Sequence, residues 1–245
     1  MTGEAATSLL STVRCVVFDV DDTLYLERDY VRSGFRAVDA HLRERHGAAG
    51  FFERAWAAFE QGVRGRTFDE VLPQLGLSPG RELIAELVEV YRRHRPQIDL
   101  LPDARAALEA ARRAGWAVAV VTDGPMASQS AKVAALGLAR WADPVVLTAA
   151  LGEGFGKPHP RAFRLVVERI GCRGEQCVYL ADNPAKDFAG PKGLGWRTVR
   201  VRRPGGLHAA APGGPDVDEV WEDLLPLVAG AADLGEGDGG RAPWR

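Results

Sequence analysis

The chain has 245 residues, 46% hydrophobic and 26% charged, with a formal net charge of -2. That balance describes a soluble fold of one mid-sized domain, or one domain carrying a smaller inserted one. Near-neutral charge with scattered arginines argues against nucleic acid or acidic membrane as a partner, and no apolar run approaches the roughly 18 residues needed to cross a bilayer.

Residues 1–12 read as a loose leader without the basic segment of a secretory signal. The three cysteines, Cys15, Cys172 and Cys177, contain no C-x-x-C. Neither a disulfide framework nor a zinc site is expected from them, and a cytoplasmic location fits. Val13 to Phe18 is short, β-branched and mostly apolar, which predicts a buried parallel strand. It ends abruptly in Asp19-Val20-Asp21-Asp22-Thr23. From about residue 29 to 95 apolar residues recur at helical spacing, as in Tyr30, Val31, Phe35, Val38 and Leu42, and glycines punctuate the helices. An all-helical insert over 25–99 follows.

Helix and strand then alternate. Pro102 to Ala114 is helical with Gly115 as its stop, and Trp116 to Val121 is a strand ending in Thr122-Asp123-Gly124. A helix over Ala127 to Leu136 precedes a short strand, Pro144 to Leu147. A helix over Pro160 to Ile170 then leads to a strand, Gln176 to Leu180, ending in Ala181-Asp182-Asn183. Arg197 to Val201 is a further strand, Val217 to Trp221 an edge strand and Leu224 to Ala229 a closing helix. The Gly- and Asp-rich segment 231–245 reads as disordered. Alternation of this kind predicts an α/β fold: a doubly wound parallel sheet over 1–24 and 100–230, interrupted by the helical insert. In such sheets ligands bind beyond the carboxyl ends of the strands.

Three predicted strands end in Asp19/Asp21, Thr122/Asp123 and Asp182/Asn183, and Lys157 lies in the loop Gly154-Phe-Gly-Lys-Pro158. Crowded carboxylates repel one another and call for a cation. With only oxygen donors in the set, the cation is hard, and Mg²⁺ fits best. Lys157 adds a fixed positive charge. Thr122 and the backbone amides of Asp123 and Gly124 supply hydrogen-bond donors, and together these make a site for a phosphoryl group. Residues 19, 157 and 182 then have to lie within about 10 Å of one another to share an ion and its phosphate.

Asp19-Val-Asp-Asp-Thr-Leu24, Thr122-Asp-Gly124, Gly156-Lys-Pro158 and Asp182-Asn-Pro-Ala-Lys-Asp187 resemble the four ordered motifs of the haloacid dehalogenase-like hydrolase superfamily. The resemblance covers about residues 13–202, and the insert looks like that superfamily's helical cap of the first type. The resemblance implies a Rossmann-like core and an aspartyl-phosphate formed on Asp19. Asp21 is implied as general acid and then base. Thr122 binds phosphate, and Lys157 holds phosphate and orients Asp19. The resemblance further implies Mg²⁺ held by Asp19, the Asp21 carbonyl and Asp182, with Asp187 acting through water or through Lys157. Asp123 stands where the family commonly has Asn, which puts substrate contacts there in doubt.

Asp21 separates phosphoryl chemistry from dehalogenation, since dehalogenating relatives lack it. The expected function is therefore a phosphatase acting on a small phosphomonoester: a sugar phosphate, a nucleotide or a biosynthetic intermediate. The runs Tyr25 to Tyr30 and Lys186 to Lys192 are similar to superfamily chains of sugar-phosphate or surface-polysaccharide metabolism. A phosphomutase or other phosphoryl transferase on the same core stays open, as does a non-catalytic phosphate-binding protein. By their closeness to Asp19, Tyr25, Arg28 and Tyr30 are candidates to face the leaving group, with bracing of the insert's helices as the alternative; Arg64 and Arg66 are weaker candidates. A monomer or homodimer is expected.

Overall fold

The structure, a computed structural model, describes residues 9–235. It divides into two compact units, Met1–Glu27 with Asp99–Arg245, and Arg28–Ile98.

In the first unit, six strands among the described residues form one sheet: β1 (Cys15–Phe18), β2 (Ala117–Thr122), β3 (Val145–Leu147), β4 (Cys177–Ala181), β5 (Arg197–Val201) and β6 (Glu219–Trp221). The order is β3-β2-β1-β4-β5-β6 and every pairing is parallel. This is the α/β sheet the sequence predicts. The chain runs outward from β1 to β3, then returns to the other side of β1 for β4. Loops leaving β1 and β4 therefore diverge, which opens a crevice at their carboxyl ends. All four residues of β1 and all five of β4 are buried, as continuous apolar strands covered on both faces must be. Each fully buried valine here stabilises the fold by about 1.5–3 kcal/mol.

The covering helices include α5 (Pro102–Arg113), α6 (Met126–Ala135), α7 (Arg161–Ile170), the short α8 (Ala189–Lys192) and α9 (Leu225–Gly235). Proline opens α5, where no amide partner is lost. The α7 helix buries Ala162, Phe163 and Val166, and the Phe163 ring meets Tyr179 edge-on at 5.0 Å and Trp196 at 5.5 Å. Two expectations change. Leu9 and Leu10 of the supposed leader are buried, because apolar side chains beside β1 find core to fill. Residues 231–235 of the supposed tail are helical: α9 packs on α5 and buries Leu227 and Ala231. Residues 1–8 and 236–245 lie outside the described residues.

The second unit is helical: α1 (Glu27–His46, which starts at the unit boundary), α2 (Phe51–Glu60), α3 (Thr67–Val71) and α4 (Arg81–Arg93), with a 3-10 turn at Pro73–Leu75. Phe35 sits edge-on to Phe51 at 5.9 Å and to Phe59 at 6.5 Å. Gly50 precedes α2 and has no side chain to cap it, so Asp39 of α1 caps it from a distance. Its Oδ1 accepts from the amides of Gly50, Phe51 and Phe52 at 3.1, 2.8 and 3.3 Å. No helix among the described residues is long and apolar enough to cross a membrane.

Candidate active site

The loop after β1 places the first two carboxylates. The Asp19 amide donates to Leu180 O of β4 at 2.9 Å, which extends the ladder by one residue. The chain then turns, with Leu24 N bonded to Val20 O at 3.0 Å. Asp22 takes the left-handed conformation (φ 49) that Asp tolerates better than most residues. Its carboxylate accepts from Glu27 N at 2.8 Å and Leu207 N at 2.6 Å. Asp22 is thus a brace that fixes where Asp19 and Asp21 sit.

Lys157 is buried at the centre. Its Nζ donates to Asp19 Oδ1 at 2.7 Å and to Tyr179 Oη at 3.1 Å, and forms an ion pair with Asp187 Oδ1 at 2.6 Å. Its loop comes close to the second motif: the Lys157 amide donates to Asp123 Oδ1 at 3.3 Å. A Cβ on Gly156 would come within 2.8 Å of that same oxygen, so glycine is needed for the approach. One oxygen each from Asp19, Asp182 and Asp187 lies within 4.8 Å of the others. Residues 19, 157 and 182 therefore do gather at one point, at the crevice between β1 and β4.

Charge is under tension there. Burial, with Asp187 and Asp21 adding to it and Lys157 opposing, pushes Asp19 up to about 6. Burial and the neighbouring Asp19 and Asp187 push Asp182 up to about 9. Lys157 loses by burial but gains more from Asp187 and Asp19, and is held well above its usual range. Three oxygen donors in one buried trio, one of them driven toward neutrality, fit a hard divalent cation that would keep all three ionised.

Asp21 faces a different set. Lys132 Nζ of α6 lies 2.6 Å from its Oδ1, Gln129 Nε2 3.2 Å from its Oδ2, and the Tyr25 hydroxyl donates to Oδ1. Burial pushes Asp21 up, but Lys132, Tyr25 and Gln129 together outweigh it and hold the carboxyl below its ordinary range. Tyr25 is thus turned onto Asp21. Thr122 Oγ1 donates to Gln129 Oε1 at 2.9 Å, so its proton is engaged within the site. Asp123 accepts from Thr148 Oγ1 at 2.5 Å and pairs with Lys186 at 3.6 Å, which ties the second motif to its neighbouring loops. Gly124 (φ 144) supplies the turn beside Gln129. Arg28 belongs to the helical unit, where it reaches Glu60 at 3.4 Å and lies over the Trp56 ring. Tyr30 packs against Tyr91 and His94 there, as a brace. Arg64 sits on the Phe59 ring and Arg66 pairs with Glu70.

Sequence reasoning missed Gln129, Lys132, Tyr179 and the buried Arg200. Gln129 and Lys132 stand three apart on α6, a spacing that puts both on one helix face, and that signal was readable. Arg200 sits in an otherwise apolar strand end. It donates to Asp182 O at 3.3 Å and His208 O at 2.8 Å, fixing the loop that carries Asp182.

A family model described as haloacid dehalogenase-like hydrolase matches residues 13–195. The chain is 37% identical over 180 residues to a phosphoserine phosphatase of Thermus thermophilus, covering 73% of this chain and 68% of that one. It is 30% identical over 201 residues to a glyceraldehyde 3-phosphate phosphatase of Methanopyrus kandleri, covering 78% and 84%. Among solved structures, the HAD-hydrolase YfnB from Bacillus subtilis bound to magnesium superposes with a TM-score of 0.63 at 20% identity, over 88% of this chain and 96% of that one.

Proposed function

The chain belongs to the haloacid dehalogenase-like hydrolase family, and from that premise we propose that it is a Mg²⁺-dependent phosphatase of small phosphomonoesters. The observation that carries this reading is Lys157, whose ammonium bridges Asp19 and Asp187 while Asp182 closes the same cluster. Relatives named as phosphatases of phosphoserine and of glyceraldehyde 3-phosphate support the reaction type.

Asp19, Asp182 and Asp187 are the side chains that would hold the ion, with the Asp21 carbonyl. Bound there, Mg²⁺ supplies charge neutralisation for the phosphoryl group and for the crowded carboxylates. Lys157 fixes the Asp19 carboxylate and offers its charge to the incoming phosphate oxygens. Asp19 Oδ attacks phosphorus, the leaving oxygen departs, and the phosphoryl group is carried as an acyl phosphate on Asp19. Asp21 is ionised by Lys132 in the resting protein. A phosphate dianion beside it raises its proton affinity, so it can carry the proton to the leaving oxygen and later take one from the attacking water. The amides of Asp123 and Gly124 are the donors assigned to phosphate, since the Thr122 proton is engaged by Gln129.

Phosphate release from an aryl phosphate, phosphoserine and glyceraldehyde 3-phosphate tests the reading. Release in Mg²⁺ that stops with a chelator supports it. Release that is indifferent to metal, or that survives Asp19→Asn, overturns it. A product isomeric with a sugar-phosphate substrate, with no inorganic phosphate, would instead favour a mutase. Arg28 is proposed to influence substrate choice; unchanged kcat/KM ratios across the panel in Arg28→Ala would remove that assignment.

A further inference from the structure

All three cysteines of the chain meet at the opposite end of the sheet from the carboxylates. Cys15 opens β1 and Cys177 opens β4, and the two are register partners on adjacent strands. Cys172 lies just after α7, and its sulfur is 3.3 Å from that of Cys177. One sulfur from each of the three lies within 4.8 Å of the others. Cys15 and Cys177 are buried, while Cys172 is only half-buried, so the cluster has one face toward solvent. We propose that Cys15, Cys172 and Cys177 form a three-thiolate site for a thiophilic divalent cation of the zinc class.

Three sulfurs at about 2.3 Å around one ion lie about 4 Å apart, so the observed spacing needs shifts of well under an ångström to close on a cation. A disulfide would use two sulfurs and leave the third idle; convergence of all three is what favours an ion. Thiolate donors select soft and borderline d¹⁰ cations and disfavour Mg²⁺. A divalent ion leaves the site with one net negative charge where a monovalent ion leaves two, and beside apolar Phe163, Val166 and Trp196 the smaller charge is the cheaper one. Cys172 is the half-buried member of the three, so its sulfur is the ion's point of entry. Loading displaces the thiol protons to solvent and makes three metal–sulfur bonds. No electron transfer is involved. The fourth position, on the Cys172 side, is left to water.

The test uses the reduced full-length protein in excess Mg²⁺, titrated with Cd²⁺ as probe. The expected result is a sulfur-to-metal charge-transfer absorption saturating at one equivalent, displaced by Zn²⁺. Alkylation of Cys172 should slow about tenfold with the probe at ten times its Kd. Cys172→Ser, a change at a half-buried loop position that keeps the fold, should abolish the band; Cys15→Ser should abolish it too, with folding checked by circular dichroism. Asp182→Asn should leave it intact, which separates this site from the carboxylate cluster. Absence of the band in folded protein, its survival in Cys172→Ser, or unslowed alkylation would overturn the proposal.

Discussion

The same two strands end in opposite chemistries. β1 begins at Cys15 and runs into Asp19; β4 begins at Cys177 and runs into Asp182. At the amino end, the side chains are small, polarizable and neutral when protonated, and they pack among aromatic rings at little cost. At the carboxyl end, carboxylates are packed against one another and held by one buried lysine. The difference teaches where the molecule carries its strain. The strands supply a rigid frame at both ends, but only the carboxyl end packs like charges against one another.

The comparison breaks most visibly at Lys157. Lys157→Ala leaves Asp19 and Asp187 buried without their ammonium, which should cost about 3–5 kcal/mol of stability by denaturant titration. Phosphate release should fall by roughly 10³-fold, the scale of losing one transition-state charge contact. An unchanged midpoint would mean that the ends do not differ in stored charge.

A smaller effect is expected at the loops that support the site. Asp103, at the start of α5, pairs with Arg203 at 2.9 Å and accepts from Leu224 N at 2.8 Å, while Arg203 Nε donates to Thr23 O at 2.8 Å. Burial pushes Asp103 up, but the Arg203 hydrogen bond and the Leu224 amide outweigh it and hold the carboxyl below its usual value. Its contribution is therefore complete above the unfolded-state value near 4 and is lost as pH falls through the lower folded value. Asp103→Asn should cost about 2 kcal/mol at pH 7. The loss should shrink on acidification below about pH 4, read as a flatter stability–pH curve.

The sign should reverse at Asp182. Removing one carboxylate from a repelling cluster should stabilise the metal-free protein by about 1–2 kcal/mol, while activity and the Mg²⁺-dependent rise in Tm are lost. Loss of stability in metal-free Asp182→Asn would contradict the crowding described above. The smallest effect belongs to the amino end. Cys172→Ser should move stability by no more than about 0.5 kcal/mol and leave kcat/KM for phosphate release unchanged.

Most of the frame was legible because parallel strands leave a plain signal. Cys15–Phe18 and Ala117–Thr122 are β-branched runs that stop at Asp19 and Asp123, and Gly115, Gly137 and Gly171 close the helices before them or after them with positive φ. Less was legible where tertiary packing overrides composition. The Gly- and Ala-rich start of the tail becomes the last turns of α9 because α5 offers an apolar face. That Gln129 and Lys132 share a helix face was readable, but that they meet Asp21 was not, because only the fold brings α6 to the first loop. The thiol cluster was hidden for the same reason: no spacing rule links Cys15 to Cys177, whereas strand register does. Asp39 reads as an ordinary polar residue of α1 until the fold puts it at the start of α2.

Turnover quenched in acid gives the most direct check on the chemistry. Protein mixed with a phosphomonoester and Mg²⁺, stopped within one turnover and digested, should carry a hydroxylamine-labile phosphoryl group on the peptide containing Asp19, and none when the metal is chelated. A phosphoryl group on any other side chain, or full-rate hydrolysis with no covalent phosphate at any time point, would contradict nucleophilic attack by Asp19.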